Sequence, residues 1–65
     1  MMLGNEIVKY ITVATQAAVF ERNKDYEKAT LYWSEASVLA KNDDNFKWAI
    51  ARYDYCNTRS RIFLR

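Results

Sequence analysis

The chain has 65 residues, of which 51% are hydrophobic, so it is long enough for one small domain. It contains no histidine and one cysteine, which excludes an internal disulfide and a His/Cys zinc site. The net charge of +2 is too small by itself to indicate a nucleic-acid-binding protein.

Since a disulfide and a zinc site are excluded, so small a domain needs another source of stability. A domain of this size buries only about 60% of the surface that its unfolded chain exposes. Three Phe, five Tyr and two Trp residues are also a large aromatic content for a small monomer to bury. Self-association, most simply as a homodimer, is therefore expected.

The order of residues predicts an all-α fold. The chain has no proline and one glycine, and strand-type alternation is not sustained anywhere. Two polar clusters, residues 23–24 and 42–45, separate three predicted helices at about 5–22, 25–41 and 45–62. Together they form a single domain of residues 1–65, a helical hairpin followed by a third helix.

Helix 1 is apolar around well over half of its circumference. One apolar face suffices for packing against helix 2, so a second face indicates contact with another chain. Surface alanines without a partner are the simpler explanation. The residues predicted for self-association are Ile7, Tyr10, Ile11, Ala14, Ala18 and Phe20.

Helix 2 carries a stripe of small and aromatic residues at helical spacing, centred on Trp33. Asp25 precedes it at a typical N-cap position, and Lys41 suits the negative end of its dipole. The stripe predicts a packing seam, with Trp33 as an anchor for a partner as the alternative. Its members are Tyr26, Ala29, Trp33, Ala36 and Ala40.

Helix 3 is expected to begin with Asp43 or Asp44 as its N-cap. Trp48 and Arg52 lie to the side of its inward face, so a contact with a partner is considered for both. The alternative for Arg52 is that it covers Trp48 or pairs with Asp44 or Asp54. The predicted inward face consists of Phe46, Ala49, Ile50, Tyr53 and Cys56.

Catalysis, metal binding and cofactor binding are not expected. No histidine can act as a general base, the acidic residues are scattered, and no Gly-rich phosphate loop is present. Cys56 has no histidine to activate it and is interpreted as a small buried hydrophobe. Charges interrupt every apolar run, and the first residues lack the basic segment of a signal peptide, so a cytoplasmic protein without a membrane span is predicted.

The C-terminal segment is basic. Residues 46–65 carry five basic groups and one acidic group, whereas residues 1–45 carry five basic and seven acidic groups. Helix 2 presents Glu27, Lys28 and Glu35 rather than the cationic and amide side chains of a recognition helix, which argues against direct, specific DNA reading. The candidate nucleic-acid contacts are Arg59, Arg61 and Arg65.

The segments DYEKATLYWSEASVLAKN and KWAIARYDYC are more specific than their composition. With VATQAAVFERNKDYEKA upstream, they resemble the AraC negative regulator (ANR) family of enteric bacterial pathogens, especially its members of the AggR-activated regulator (Aar) type. The similarity extends over nearly the whole chain. A weaker likeness to the PerC-type regulators rests on the Ala-x3-Trp helix and the later Trp-x3-Arg-x3-Cys segment.

The resemblance implies a helical, self-associating regulator involved in virulence. Members of that family bind an AraC-type activator protein and hinder its dimerisation or its engagement of DNA, and some are linked to the nucleoid protein H-NS. Two alternatives stay open. One is a DNA- or nucleoid-associated regulator that acts through the basic tail, and the other is an accessory subunit of an unrelated complex.

Overall fold

The computed structural model describes the backbone of residues 2–64 and the side chains of residues 8–61. The described backbone forms three α-helices, α1 (Met2–Arg22), α2 (Tyr26–Leu39) and α3 (Asp43–Leu64), and contains no strand. The predicted all-α, three-helix fold is confirmed. The helices differ from prediction only at their ends, since α1 and α3 are longer and α2 is shorter.

The turn between α1 and α2 is closed by backbone hydrogen bonds. The amide of Asp25 donates to the carbonyl of Phe20 (2.8 Å), and the amide of Lys24 donates to that of Glu21 (3.0 Å). This is the Schellman pattern, in which Lys24 takes the left-handed conformation (φ 65°) that glycine usually supplies. Asp25 then caps α2, as predicted, by accepting from the amide of Lys28 at 3.4 Å.

The cap of α3 differs from the prediction. The side-chain oxygen of Asn42 accepts a hydrogen bond from the amide of Asn45 at 2.8 Å, so Asn42 is the capping residue. The expectation of Asp43 or Asp44 at this position was wrong by one or two residues. Both carboxylates lie in the first turn of α3, where they face the positive end of the helix dipole.

α2 lies between the other two helices and packs along both, whereas α1 and α3 contact each other far less. The seams contain residues small enough to let helix backbones approach closely. Trp33, Tyr26 and Tyr10 supply most of the volume of the core. The fully buried residues, each 0% exposed, are Ala17, Ala29, Ala36, Ala49 and Cys56.

The inward face of α3 is narrower than predicted. Ala49 and Cys56 are buried and Tyr53 packs against the core, but Phe46 is exposed. At about 100° per residue, Phe46 points roughly 160° away from Trp48. Trp48 lies on the flank of α3 that faces α1. Phe46 therefore lies on the outer flank, which no described helix covers.

Because both turns reverse the chain, α1 and α3 point in the same direction. The hydroxyl of Tyr10 donates to the carbonyl of Asn45 at the start of α3 (3.2 Å). The first turns of α1 therefore extend beyond the start of α3, and the end of α3 extends beyond the end of α1. This stagger fits the elongated shape, whose Cα extents are 45 × 19 × 13 Å.

Candidate binding groove between the first and third helices

α1 and α3 leave an open groove between them, and α2 forms its floor. The groove has a volume of about 750 Å³. Its α1 wall consists mainly of aliphatic and small side chains, and its α3 wall is aromatic. The residues that define this surface, called the α1/α3 groove below, are Ile11, Ala14 and Ala18 of α1, Trp33 of α2, and Trp48 and Tyr55 of α3.

The groove presents large apolar side chains to solvent. Trp48 is 57% exposed, Ile11 54% and Tyr55 42%. Ala14 and Ala18 lie beside Ile11 on the same wall and leave space in front of the aromatic wall. Clustered exposed apolar surface of this kind marks interaction sites more often than isolated surface residues do.

A polar cluster centred on Glu21 closes one end of the groove and joins all three helices. The Oε1 atom of Glu21 accepts from the indole Nε1 of Trp33 on α2 (3.0 Å). The same oxygen accepts from Nε of Arg52 (3.3 Å) and from the thiol of Cys56 (3.4 Å), both on α3. A second guanidinium nitrogen of Arg52 forms an ion pair with Oε2. Both charged side chains are largely buried.

The ion pair also organises the aromatic wall. The guanidinium carbon of Arg52 lies 4.7 Å from the ring centre of Tyr55 and 5.8 Å from that of Trp48. Arg59 lies one helical turn beyond Tyr55, 5.6 Å from that ring and 5.5 Å from the ring of Tyr26. Aromatic rings and guanidinium groups thus alternate along one stripe of α3, where cation–π attraction stabilises them.

Burial raises the pKa of two groups near the groove. Removal from water raises the pKa of the Tyr10 hydroxyl above its usual value. Burial likewise raises the pKa of the Cys56 thiol, and the nearby positive charge of Arg52 opposes this effect in part. Both groups therefore favour the neutral form in the folded chain.

We expect Cys56 to react with iodoacetamide at pH 8 much more slowly in the folded chain than in the chain unfolded in guanidinium. The folded thiol is buried and its raised pKa leaves little thiolate, the reactive form. Mass spectrometry of samples quenched over time measures both rates. Equal rates would contradict the burial of this residue.

The same shift predicts the sign of a pH effect. Because the folded thiol binds its proton more tightly than the unfolded thiol, protonation of Cys56 stabilises the fold. This stabilisation is fully present at pH values below the pKa of the unfolded thiol, about 8.5. The stabilisation is lost as the pH rises through the higher pKa of the thiol in the folded chain.

The structure divides the residues predicted for self-association. Ile11, Ala14 and Ala18 line the groove. Tyr10 also borders the groove but is buried in the core, and Phe20 packs on Tyr32 of α2 with ring centres 5.0 Å apart. Within the chain, Phe20 contributes to the α1–α2 seam and Tyr10 reaches α3 through its bond to Asn45. The side chain of Ile7 lies outside the described residues.

The residues predicted for packing or partner binding also differ in burial. Tyr26, Ala29, Trp33 and Ala36 are buried, and Ala40 is half-buried at the end of α2. Their contacts are within the chain, so Trp33 contributes only to the floor of the groove. Trp48 is exposed as expected for a contact residue.

Arg52 covers Trp48, as one of the two alternatives proposed, but its acidic partner is not the one expected. It pairs with Glu21 of α1 rather than with Asp44 or Asp54, because its flank of α3 faces α1.

The arginines of the basic tail differ in exposure and in their contacts. Arg59 is half-buried against the rings of Tyr26 and Tyr55, whereas Arg61 is exposed. Arg65 lies outside the described residues. The three arginines therefore do not form a common exposed patch in the part of the chain that the structure describes.

Sequence reasoning did not identify Glu21 or Tyr55 as site residues. A signal for Glu21 was present, because Tyr10, Ala14, Ala17 and Glu21 follow the spacing of one helical face. An acid on a core-facing stripe needs a donor, and a buried tryptophan needs an acceptor for its indole N–H.

Within the described residues, no group of three or more His, Cys, Asp or Glu side chains is arranged to bind a metal ion. None of the described helices combines the length and the apolar character that crossing a membrane requires. No protein-family model, curated protein or solved structure matches the chain.

Proposed function

We propose that this chain is a non-enzymatic, cytoplasmic negative regulator that binds an AraC-type transcription activator. Bound to the activator, it hinders dimerisation of that protein or its engagement of DNA. The observation that supports a protein-binding function best is the α1/α3 groove, with Ile11, Trp48 and Tyr55 exposed on its walls. The class of partner comes from the sequence resemblance to the AraC negative regulator family.

The charges of the groove favour protein over DNA as the partner. Arg52 is neutralised by Glu21, and Arg59 is packed over aromatic rings. A nucleic-acid surface needs several exposed cations that can reach phosphates along one track. Arg61 is exposed, but the groove itself presents mainly apolar surface.

Self-association is part of the proposal. α1 also exposes the apolar side chains of Val8 and Val19, neither of which lines the groove. This second apolar face can contact another copy while the groove holds the activator. H-NS remains a further candidate partner on the basis of the resemblance alone.

A gel-shift titration with a matched pair of variants tests the proposal. Ile11→Asp introduces a charge into the groove, and Leu31→Asp introduces the same charge at a similarly exposed position (65%) on the outer face of α2. We expect wild-type chain and Leu31→Asp to remove an AraC-type activator from its labelled DNA site. Ile11→Asp should need at least about tenfold more protein and should self-associate less in sedimentation velocity.

A lane with chain and DNA alone is the control for direct DNA binding. A shift in that lane would favour the DNA- or nucleoid-associated alternative instead. An activator–DNA band that wild-type chain leaves intact, or equal inhibition by the two aspartate variants, would contradict the proposal.

A further inference from the structure

We infer that the α1/α3 groove binds a single amphipathic helix of the partner, and that this helix carries acidic residues on the side that meets Arg22. The inference rests on the proposed function in taking the activator as the source of that helix. It adds the conformation, the polarity and the charge of the bound segment.

The arrangement of the helices favours a helical ligand. α1 and α3 run in the same direction on either side of α2, with the groove open between them. This is the layout of a four-helix bundle from which one helix is missing. From Ile11 to Arg22 the groove follows α1 for about 16 Å, or roughly three turns, which matches a short helix in a groove.

The two walls of the groove differ in a way that suits aliphatic side chains. Ala14 and Ala18 leave the backbone of α1 accessible, so a bound helix can approach that wall closely. Trp48 and Tyr55 form the opposite wall and supply large, rigid contact area at low cost in side-chain entropy. Aliphatic residues one helical turn apart on a bound helix would fill the space between these walls.

The charges near the groove indicate an acidic ligand. The side chains of Glu21 and Arg52 compensate each other, which leaves Arg22 as the exposed charge on the lining. An acidic side chain there would meet a favourable potential, and a basic one would be repelled.

The Glu21 cluster gives the aromatic wall a defined shape before any ligand binds. Glu21 holds the guanidinium of Arg52 through both of its carboxylate oxygens, and Arg52 in turn lies over Trp48 and Tyr55. Glu21 and Arg52 are positioning residues in this scheme. A wall that is ordered in advance lowers the entropy lost on binding.

Other exposed apolar positions offer less. Leu31 and Val38 are 65% and 77% exposed on the outer face of α2, and neither residue lines the groove or the smaller depression beside α1. A smaller depression of about 400 Å³ lies between α1 and α2, and its lining includes Lys9 and Glu35, which carry opposite charges. Neither surface combines two walls with an excess of one charge.

The test uses two fluorescein-labelled synthetic helices of about 16 residues. Both have leucine at the same positions of one face; one has glutamate and the other lysine at the flanking positions. Fluorescence anisotropy with the full chain measures their affinities. We expect the glutamate helix to bind at least about tenfold more tightly than the lysine helix.

Matched variants locate the site. Trp48→Ala should weaken binding of the glutamate helix by about tenfold or more, and Leu31→Ala should leave it unchanged. Arg22→Glu and Arg61→Glu alter the net charge equally, but only Arg22→Glu should reverse the preference between the two probes. All four positions are exposed, and circular dichroism verifies that each variant folds.

Equal effects of Trp48→Ala and Leu31→Ala, or of the two arginine variants, would overturn the inference. So would a wild-type dimer that Trp48→Ala dissociates while neither probe binds, because a second copy then occupies the groove.

If the Trp48→Ala variant no longer binds the probe but still blocks the activator, the inference about the partner fails and the proposed function stands. If wild-type chain binds the probe through the groove yet leaves the activator on DNA, the proposed function fails instead.

Discussion

Replacing Glu21 with alanine is expected to lower the free energy of unfolding by about 2–3 kcal/mol. The substitution leaves the guanidinium of Arg52 largely buried without its acidic partner, and it removes the acceptor of the Trp33 indole and the Cys56 thiol. This loss of stability is smaller than that expected for a fully buried ion pair, because the side chains of Glu21 and Arg52 are still 17% and 28% exposed. Thermal and urea unfolding followed by circular dichroism measure the loss.

Two comparisons isolate the ion pair from general effects of substitution. Glu35→Ala removes an exposed acid from α2 and should change stability by less than about 0.5 kcal/mol. In a double-mutant cycle, Glu21→Met with Arg52→Met should be more stable than the sum of the single changes predicts, since no unpaired charge remains. If Glu21→Ala unfolded like Glu35→Ala, the cluster would have no role in stability.

Replacing Trp33 with alanine should leave the chain largely unfolded at 25 °C. Trp33 is 3% exposed at the centre of the core, and such truncations cost about 3–5 kcal/mol. A single core in a domain of this size supplies roughly the same amount. Far-UV circular dichroism should show the loss of helix. The measurement is made without ligand and at low protein concentration, so that neither binding nor self-association restores the fold.

The two tryptophans of the chain provide the matched control. Trp48→Ala removes the same side chain from the exposed wall of the groove and should cost less than about 1 kcal/mol. Trp33→Phe keeps a ring in the core but removes the donor to Glu21, so an intermediate cost of about 1–2 kcal/mol is expected. Similar unfolding curves for Trp33→Ala and Trp48→Ala would show that the core is not built around Trp33.

Local patterns were sufficient to predict the helices and the centre of the core. Trp33 and the alanines of α2 recur at helical spacing, and that spacing depends only on neighbouring residues. The same holds for the cap at Asp25. The cap of α3 was missed because Asn42, Asp43 and Asp44 are all good capping residues in succession, and their sequence does not distinguish them.

The groove required information that local patterns do not contain. Glu21 and Arg52 are 31 residues apart, and only the parallel placement of α1 and α3 brings them together. The prediction of two apolar faces on α1 identified Ile11 but could not tell which face meets α2. Phe20, which packs on α2, and Tyr10, whose side chain is buried, were therefore grouped with the exposed Ile11.

The central position of α2 has a consequence for the rate and order of folding. Since α2 packs on both of its neighbours in sequence, most native contacts close short loops, and low contact order favours fast folding. The bonds from Tyr10 to Asn45 and from Glu21 to Arg52 and Cys56 instead join residues 31 to 35 positions apart. The two hairpins are therefore expected to form first, and the contacts that order the groove are expected to form last.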